Sequence, residues 1–218
     1  MSTQDTSDAG TIPAPSRTAA VIPVGTLEGA KSRLGDALDA EERQDLTERL
    51  LAQTVAAALA LEWLADVLVV SPDREVLRRA ADLGARTLRQ RSRGLNAGLA
   101  EGREDVIAGG ADAILVLPID LAFVTTEALA AVLDPVTRSA AAVVVTDRHG
   151  TGTNALALRP PEIIEFAFGP GSRRAHREAA EAARADYTEV VGPLAFDIDT
   201  PADLVLVEAM APEGIGAG

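Results

Sequence analysis

The stretch Ile114-Leu-Val-Leu-Pro-Ile-Asp-Leu-Ala-Phe-Val124 decides how the chain is read. Apolar residues run unbroken up to Pro118, and the first charge after them is Asp120. An apolar run bounded by turn signals reads as a strand buried on both faces, as in parallel sheets covered by helices. Such sheets bind ligands outside the carboxyl ends of their strands, which is where Asp120 falls. An aspartate at a strand-to-helix turn also serves as a helix cap, accepting backbone N–H bonds. The stretch alone leaves both roles open.

Working outward, strands alternate with helices. Strands are expected at 19–24, 66–71, 85–90, 140–146, 155–158 and 187–191. Asp39 with Glu42 three positions on forms a capping pattern. It opens a helix through about Leu61 with Leu46, Leu50, Leu51 and Val55 on one face. Further helices are expected at 72–83 (stopped by Gly84), from the 91–96 loop to about 107, at 126–133, 161–166 and 173–185, and finally to about Met210. The alternation implies an α/β fold with a mainly parallel sheet between two helical layers. Residues 1–18, rich in Ser, Thr, Asp and Pro, read as a disordered tail, 19–211 as a single domain and 212–218 as a loose tail.

Composition narrows the chemistry. There is no cysteine, which excludes disulfides and thiolate metal sites, and two histidines leave little room for zinc or a histidine-based triad. A net charge of −13 disfavours nonspecific nucleic-acid binding, which depends on phosphate neutralisation by Lys and Arg. No apolar run approaches the ~20 residues that span a bilayer. Residues 1–10 lack the basic and apolar regions of a signal peptide, so a soluble cytoplasmic protein without membrane partners is expected.

Four constellations carry possible chemistry. The loop after the first strand, Gly25-Thr-Leu-Glu-Gly-Ala-Lys-Ser-Arg33, fails the Walker A pattern. Three residues rather than four separate Gly25 from Gly29, and Ala30 precedes Lys31. Lys31 is the only lysine among 20 basic residues, the other 19 (20 − 1) being arginine. A compact ammonium in a glycine-bearing loop suits a phosphate contact, with Arg33 beside it for bidentate contacts; the alternative is an incidental surface lysine.

The second is Asp197-Ile-Asp199. In an extended segment these carboxylates point to one face with Cα atoms ~6.6 Å apart. Paired so, they can bracket divalent cations, and oxygen ligands favour magnesium. Thr200, Pro201 and Asp203 behind them read as the cap, first residue and third residue of a helix. The third is Gly150-Thr-Gly-Thr-Asn154 with Phe168-Gly-Pro-Gly-Ser172. Their glycines let backbone N–H groups approach an anion, and Ser172 would head a helix whose N-terminus favours negative charge; each is otherwise an ordinary turn. The fourth is Gly94-Leu-Asn-Ala-Gly98 at a helix start, where Asn96 reads as a cap unless it contacts a base or ribose.

In combination and in this order, these motifs resemble the guanylyltransferases of deazaflavin coenzyme (F-420) biosynthesis, which act on 2-phospho-L-lactate or phosphoenolpyruvate. The resemblance spans roughly residues 19–208. It implies a three-layer, Rossmann-like nucleotide-diphospho-sugar transferase fold, with GTP as co-substrate and Mg2+ as cofactor. It implies Asp120, Asp197 and Asp199 as metal ligands, and Lys31, Arg33 and Asp120 as catalytic. Lys31 and Arg33 would contact the triphosphate, with Gly94, Leu95 and Asn96 near guanine and ribose. Thr153, Gly169 and Ser172 would hold the small phosphoacid, whose product passes to the next transferase of the pathway. Ile119, Ala122 and Gly25 depart from the family's usual residues, which bears on substrate preference and rate. Other readings are a molybdopterin- or sugar-phosphate-type nucleotidyltransferase and a noncatalytic GTP-binding regulator.

Overall fold

A computed structural model describes residues 17–27, 31–137 and 140–210. Its strands are β1 (Thr18–Pro23), β2 (Leu64–Ser71), β3 (Arg86–Arg89), β4 (Ala113–Val116), β5 (Ala141–Thr146), β6 (Thr153–Arg159) and β7 (Asp186–Val190). They form one seven-stranded sheet in the order β3-β2-β1-β4-β6-β5-β7. β4 therefore takes the central place, with every residue buried, as its unbroken apolar run predicts. β1 pairs in parallel with β2 and β4, β2 with β3, and β5 with β7, while β6 runs antiparallel to both β4 and β5.

The helices are α1 (Ala40–Ala60), α2 (Arg74–Asp82), α3 (Leu95–Ala108), α4 (Thr126–Leu133), α5 (Ser172–Ala182) and α6 (Pro201–Met210). Alternate residues of one strand feed two cores, because successive side chains point to opposite faces. Ala20 and Ile22 pack with Leu51 and Val55 of α1, Val76 of α2 and Leu129 of α4. Ala19 and Val21 pack with Leu99 of α3 and Ala180 of α5. The sheet is thus covered on both faces. A third cluster joins Leu34, Leu46, Leu50 and Ile198, with Leu204 of α6 against it.

The α1 capping box is present: Asp39 accepts from the Glu42 N–H and Glu42 from the Asp39 N–H. No described helix is long and apolar enough to cross a membrane.

The fold departs from the sequence reading in four places. Residues 161–166 do not form a helix but turns and extended chain. Arg103 takes the Ile164 carbonyl, and just beyond the segment the Ala167 and Phe168 N–H groups go to His176 and Asn96. α3 begins at Leu95, so Asn96 is inside it and Gly94 is the cap residue. α5 runs from Ser172 to Ala182 and ends before 185, where Arg184 takes a left-handed φ of 55°. Residues 17 and 18 belong to the fold rather than a tail: Thr18 starts β1, and the Arg17 N–H donates to Asp112. Residues 1–16 and 211–218, and Gly29 and Ala30 of the first loop, lie outside the described residues.

Candidate active site

β1 and β4 are parallel neighbours that end at Pro23 and just before Leu117, whose N–H donates to the Val21 carbonyl. The chain beyond each strand borders a cleft of about 550 Å3 lined by Gly25, Lys31, Arg33, Leu95, Asp120 and Asp199, among others. Asp120 does not cap the following helix. Thr125 does, its side chain accepting from the Ala128 N–H. The carboxyl of Asp120 instead faces the cleft, with about a third of the side chain exposed.

A short antiparallel bridge carries the second acidic motif to it. Leu121 pairs with Asp197, the Ile198 N–H donates to the Asp120 carbonyl at 2.8 Å, and the Ala122 N–H donates to the Phe196 carbonyl at 2.8 Å. Ile198, buried against Leu34, Leu46 and Leu50, anchors the segment, so the aspartates on either side of it turn away from that core. Ala122 thus contributes its backbone, and a Cβ added at Gly25 would meet nothing within 4 Å.

Lys31 is the counterion of this cluster. Its Nζ donates to the Ile198 carbonyl at 2.6 Å and to Asp199 Oδ1 at 3.3 Å, and lies 3.7 Å from Asp120 Oδ2. Its side chain is only 9% exposed, which rules out an incidental surface lysine. Arg33 reaches Asp199 at 3.7 Å from an exposed position. Lys31 holds a left-handed φ of 53°, a conformation costing a non-glycine residue roughly 1 kcal/mol, and Leu34 behind it is fully buried. Burial pushes the Asp120 carboxyl above the usual carboxylate range; Lys31 opposes the shift, and Asp199 and Asp197 add repulsion. Lys31, Arg33 and Arg148 together face four carboxylates, Asp120, Asp197, Asp199 and Asp203, which leaves one negative charge over.

Asp197 faces Arg148, whose Nη1 lies 3.7 Å from its Oδ1. That Oδ1 is buried and has no hydrogen-bond partner. Hard oxygen ligands, uncompensated charge and an orphaned buried oxygen together fit a divalent cation such as magnesium. Among the described residues no three acidic or histidine side chains converge as a ready cage, because Lys31 draws Asp199 and Arg148 lies toward Asp197. Arg148 also binds Asp203, which is 2% exposed and accepts from the Asp199 and Thr200 N–H groups at 3.0 and 2.7 Å. Burial alone would push the Asp203 carboxyl up; those N–H groups outweigh it and hold the carboxyl below the usual range. The helix-cap role expected of Asp203 is therefore present, with an arginine that spacing did not reveal.

The glycine-rich motifs form a second group that does not line the Asp120 cleft. The Thr153 hydroxyl lies 3.0 Å from His176 Nδ1, and the Ala167 N–H donates to His176 Nε2 at 3.0 Å. Ser172 heads α5 as expected, but it is buried, and its N–H is taken by the Gly169 carbonyl. Gly169 has a φ of 131° with open space where a Cβ would stand, a backbone that favours glycine. Asn96 is not a cap. Its amide donates to the Phe168 carbonyl at 3.0 Å and accepts from the Phe168 N–H at 2.9 Å. It therefore ties the start of α3, where Leu95 enters the cleft, to the 167–172 loop. Gly94, at a φ of 92°, makes the turn before it.

Arg148 and His176 are the functional candidates that sequence spacing missed. For His176 a signal existed, since Ser172, His176 and Ala180 recur at a spacing of four and form the buried face of α5.

The family model described as "Guanylyl transferase CofC like" matches residues 18–211. The chain is 46% identical over 191 residues to a phosphoenolpyruvate guanylyltransferase of Rubrobacter xylanophilus, covering 87% of this chain and 93% of that protein. It is 43% identical over 198 residues to one of Sphaerobacter thermophilus, covering 90% and 95%. Among solved structures it is similar to a nucleotide-diphospho-sugar transferase from Desulfovibrio desulfuricans, with a TM-score of 0.75 at 16% identity over 92% of this chain and 90% of that one. A 4-diphosphocytidyl-2C-methyl-D-erythritol synthase from Anaerococcus prevotii gives 0.64 at 12% identity, covering 90% and 96%. At these identities the structural likeness speaks to the fold alone.

Proposed function

Because the chain belongs to the CofC-like guanylyl transferase family, we propose that it couples GTP to phosphoenolpyruvate with release of pyrophosphate. It is a guanylyltransferase of F-420 biosynthesis; the choice of acceptor rests on relatives that carry the phosphoenolpyruvate name, the two above among them. The observation that carries the chemistry is the placement of Lys31, from the loop after β1, between Asp120, just beyond the adjacent parallel strand β4, and Asp199.

An oxygen of the acceptor's phosphate attacks the α-phosphorus of GTP. A new P–O bond forms as the bond from the α-phosphorus to the bridging oxygen breaks, and pyrophosphate leaves with that electron pair. A phosphate monoester has a second pKa of ~6, so the nucleophile is already ionised and needs no base. This agrees with a cleft lined by neither histidine nor cysteine. What remains is positioning and charge neutralisation. Lys31 and Arg33 meet the triphosphate, and the exposed Leu95 side chain offers an apolar face beside the nucleoside. Gly94 turns the chain there, and Asn96 holds the neighbouring loop. Asp120, Asp197 and Asp199 would hold magnesium, which when bound neutralises charge on the phosphate oxygens. Thr153, Gly169 and Ser172 receive the acceptor's anionic groups.

Pyrophosphate release from GTP, measured with phosphoenolpyruvate, 2-phospho-L-lactate and 3-phosphoglycerate, tests the reading. Phosphoenolpyruvate should give the highest kcat/KM. A higher value for another acid overturns the acceptor, and silence with all three overturns the reaction.

A further inference from the structure

His176 is completely buried, and the chemistry above makes no use of it. Its hydrogen-bond directions are fixed. The Ala167 N–H is a donor only, so Nε2 must present a lone pair to it at 3.0 Å. Burial pushes the imidazole down to about 4, so the ring is neutral at physiological pH. A neutral imidazole with its lone pair on Nε2 carries its hydrogen on Nδ1. Nδ1 lies 3.0 Å from the Thr153 hydroxyl, which therefore accepts from the ring. The hydroxyl's own hydrogen is then free, and among the described residues it meets no other partner. The Phe168 ring, edge-on at 5.2 Å, packs against the imidazole. Around the same histidine, Gly169 leaves open backbone and Ser172 begins α5.

We infer that His176 is a positioning residue for the acceptor: its Nδ1–H occupies the acceptor side of the Thr153 hydroxyl and so turns that hydroxyl outward as a donor to an anionic group of the substrate. The inference deepens the acceptor assignment proposed for Thr153 and rests on it. One residue thereby joins the two glycine motifs, since it holds Thr153 with one nitrogen and the 167–172 loop with the other.

The test is a double-mutant cycle on the full chain, using Thr153→Val, His176→Gln and the combination, with His176→Asn as a second substitution. Each single change should raise the KM for phosphoenolpyruvate by about tenfold, the worth of one hydrogen bond, with the KM for GTP within about twofold of wild type. The double variant should be no worse than either single one, because both act through the same hydroxyl. Additive effects, equal rises in both KM values, or a wild-type KM for phosphoenolpyruvate in Thr153→Val would overturn the inference. Nitrogen NMR of the wild-type ring, which needs no variant to fold, should find the hydrogen on Nδ1. Finding it on Nε2 would also overturn the inference. If the wild type instead prefers another phosphoacid, the acceptor named above is wrong; the cycle is then read with that acid under the same criteria.

Discussion

Lys31 and His176 are both nearly or wholly withdrawn from solvent, at 9% and 0% exposure, yet they hold their surroundings together by different means. Around Lys31 one ammonium faces Asp120 and Asp199, with Asp197 close enough to raise the Asp120 carboxyl further. With Arg33 near Asp199 and Arg148 shared between Asp197 and Asp203, three cations meet four carboxylates. Around His176 the hydrogen bonds run between neutral groups, and one donor, the Thr153 hydroxyl, has no acceptor among the described residues. The first arrangement leaves a surplus of negative charge, which a divalent cation would offset. The second lacks only an acceptor for one hydroxyl hydrogen, whose direction His176 sets. A transfer between two anions needs both: a field that neutralises charge, and a directional seat for the nucleophile's carrier.

The comparison is broken most forcefully by removing charge. Asp120→Asn and Asp199→Asn should each lower turnover by ~10^3-fold or more. Because desolvation, with repulsion from Asp199 and Asp197, outweighs the attraction of Lys31 and disfavours the Asp120 charge, Asp120→Asn should leave the metal-free Tm unchanged or raise it. Pyrophosphate release and a thermal scan check both parts. A collapsed Tm with residual activity would mean that the acids serve the fold.

Arg148→Ala should act in the opposite sense. It strips the counterion from Asp203, which is 2% exposed, and uncompensated buried carboxylates cost about 3 kcal/mol. Urea unfolding should show that loss; stability equal to wild type would mean that Asp203 is sustained by its N–H donors alone.

Acid provides the mildest contrast. The folded His176 has a pKa of about 4 against an ordinary 6.5, so the unfolded chain binds more protons in between. Stability from this group is full above 6.5 and is lost as pH falls toward 4. By about pH 5 the loss is ~2 kcal/mol, so wild type should show the steeper decline and His176→Gln the flatter one. Equal slopes would place the histidine's neutrality outside the folding balance.

Local patterns carried much of this molecule. The apolar run before Pro118 marked the central strand, and Asp39 with Glu42 marked the start of α1. The limits Thr126–Leu133 of α4 were also legible. What escaped were choices among distant partners. Asn96 prefers the Phe168 backbone, 72 residues away, to its own helix end, and residues 161–166 form no helix, with Arg103 on the Ile164 carbonyl and His176 and Asn96 on the N–H groups just beyond. Arg148 looked like one arginine of many until folding set it against Asp203, 55 residues on. In the site, the residue types pointed to phosphate and metal, while the tie between Thr153 and His176 required the packing of α5 on the sheet.

The most direct test of the central claim follows the phosphorus atoms. GTP labelled at the α-phosphorus, incubated with phosphoenolpyruvate and Mg2+, should place its label in a guanosine diphosphate-linked enolpyruvyl product. GTP labelled at the γ-phosphorus should give labelled pyrophosphate. Appearance of the γ-label as inorganic phosphate, or on the acceptor, would contradict guanylyl transfer in this cleft.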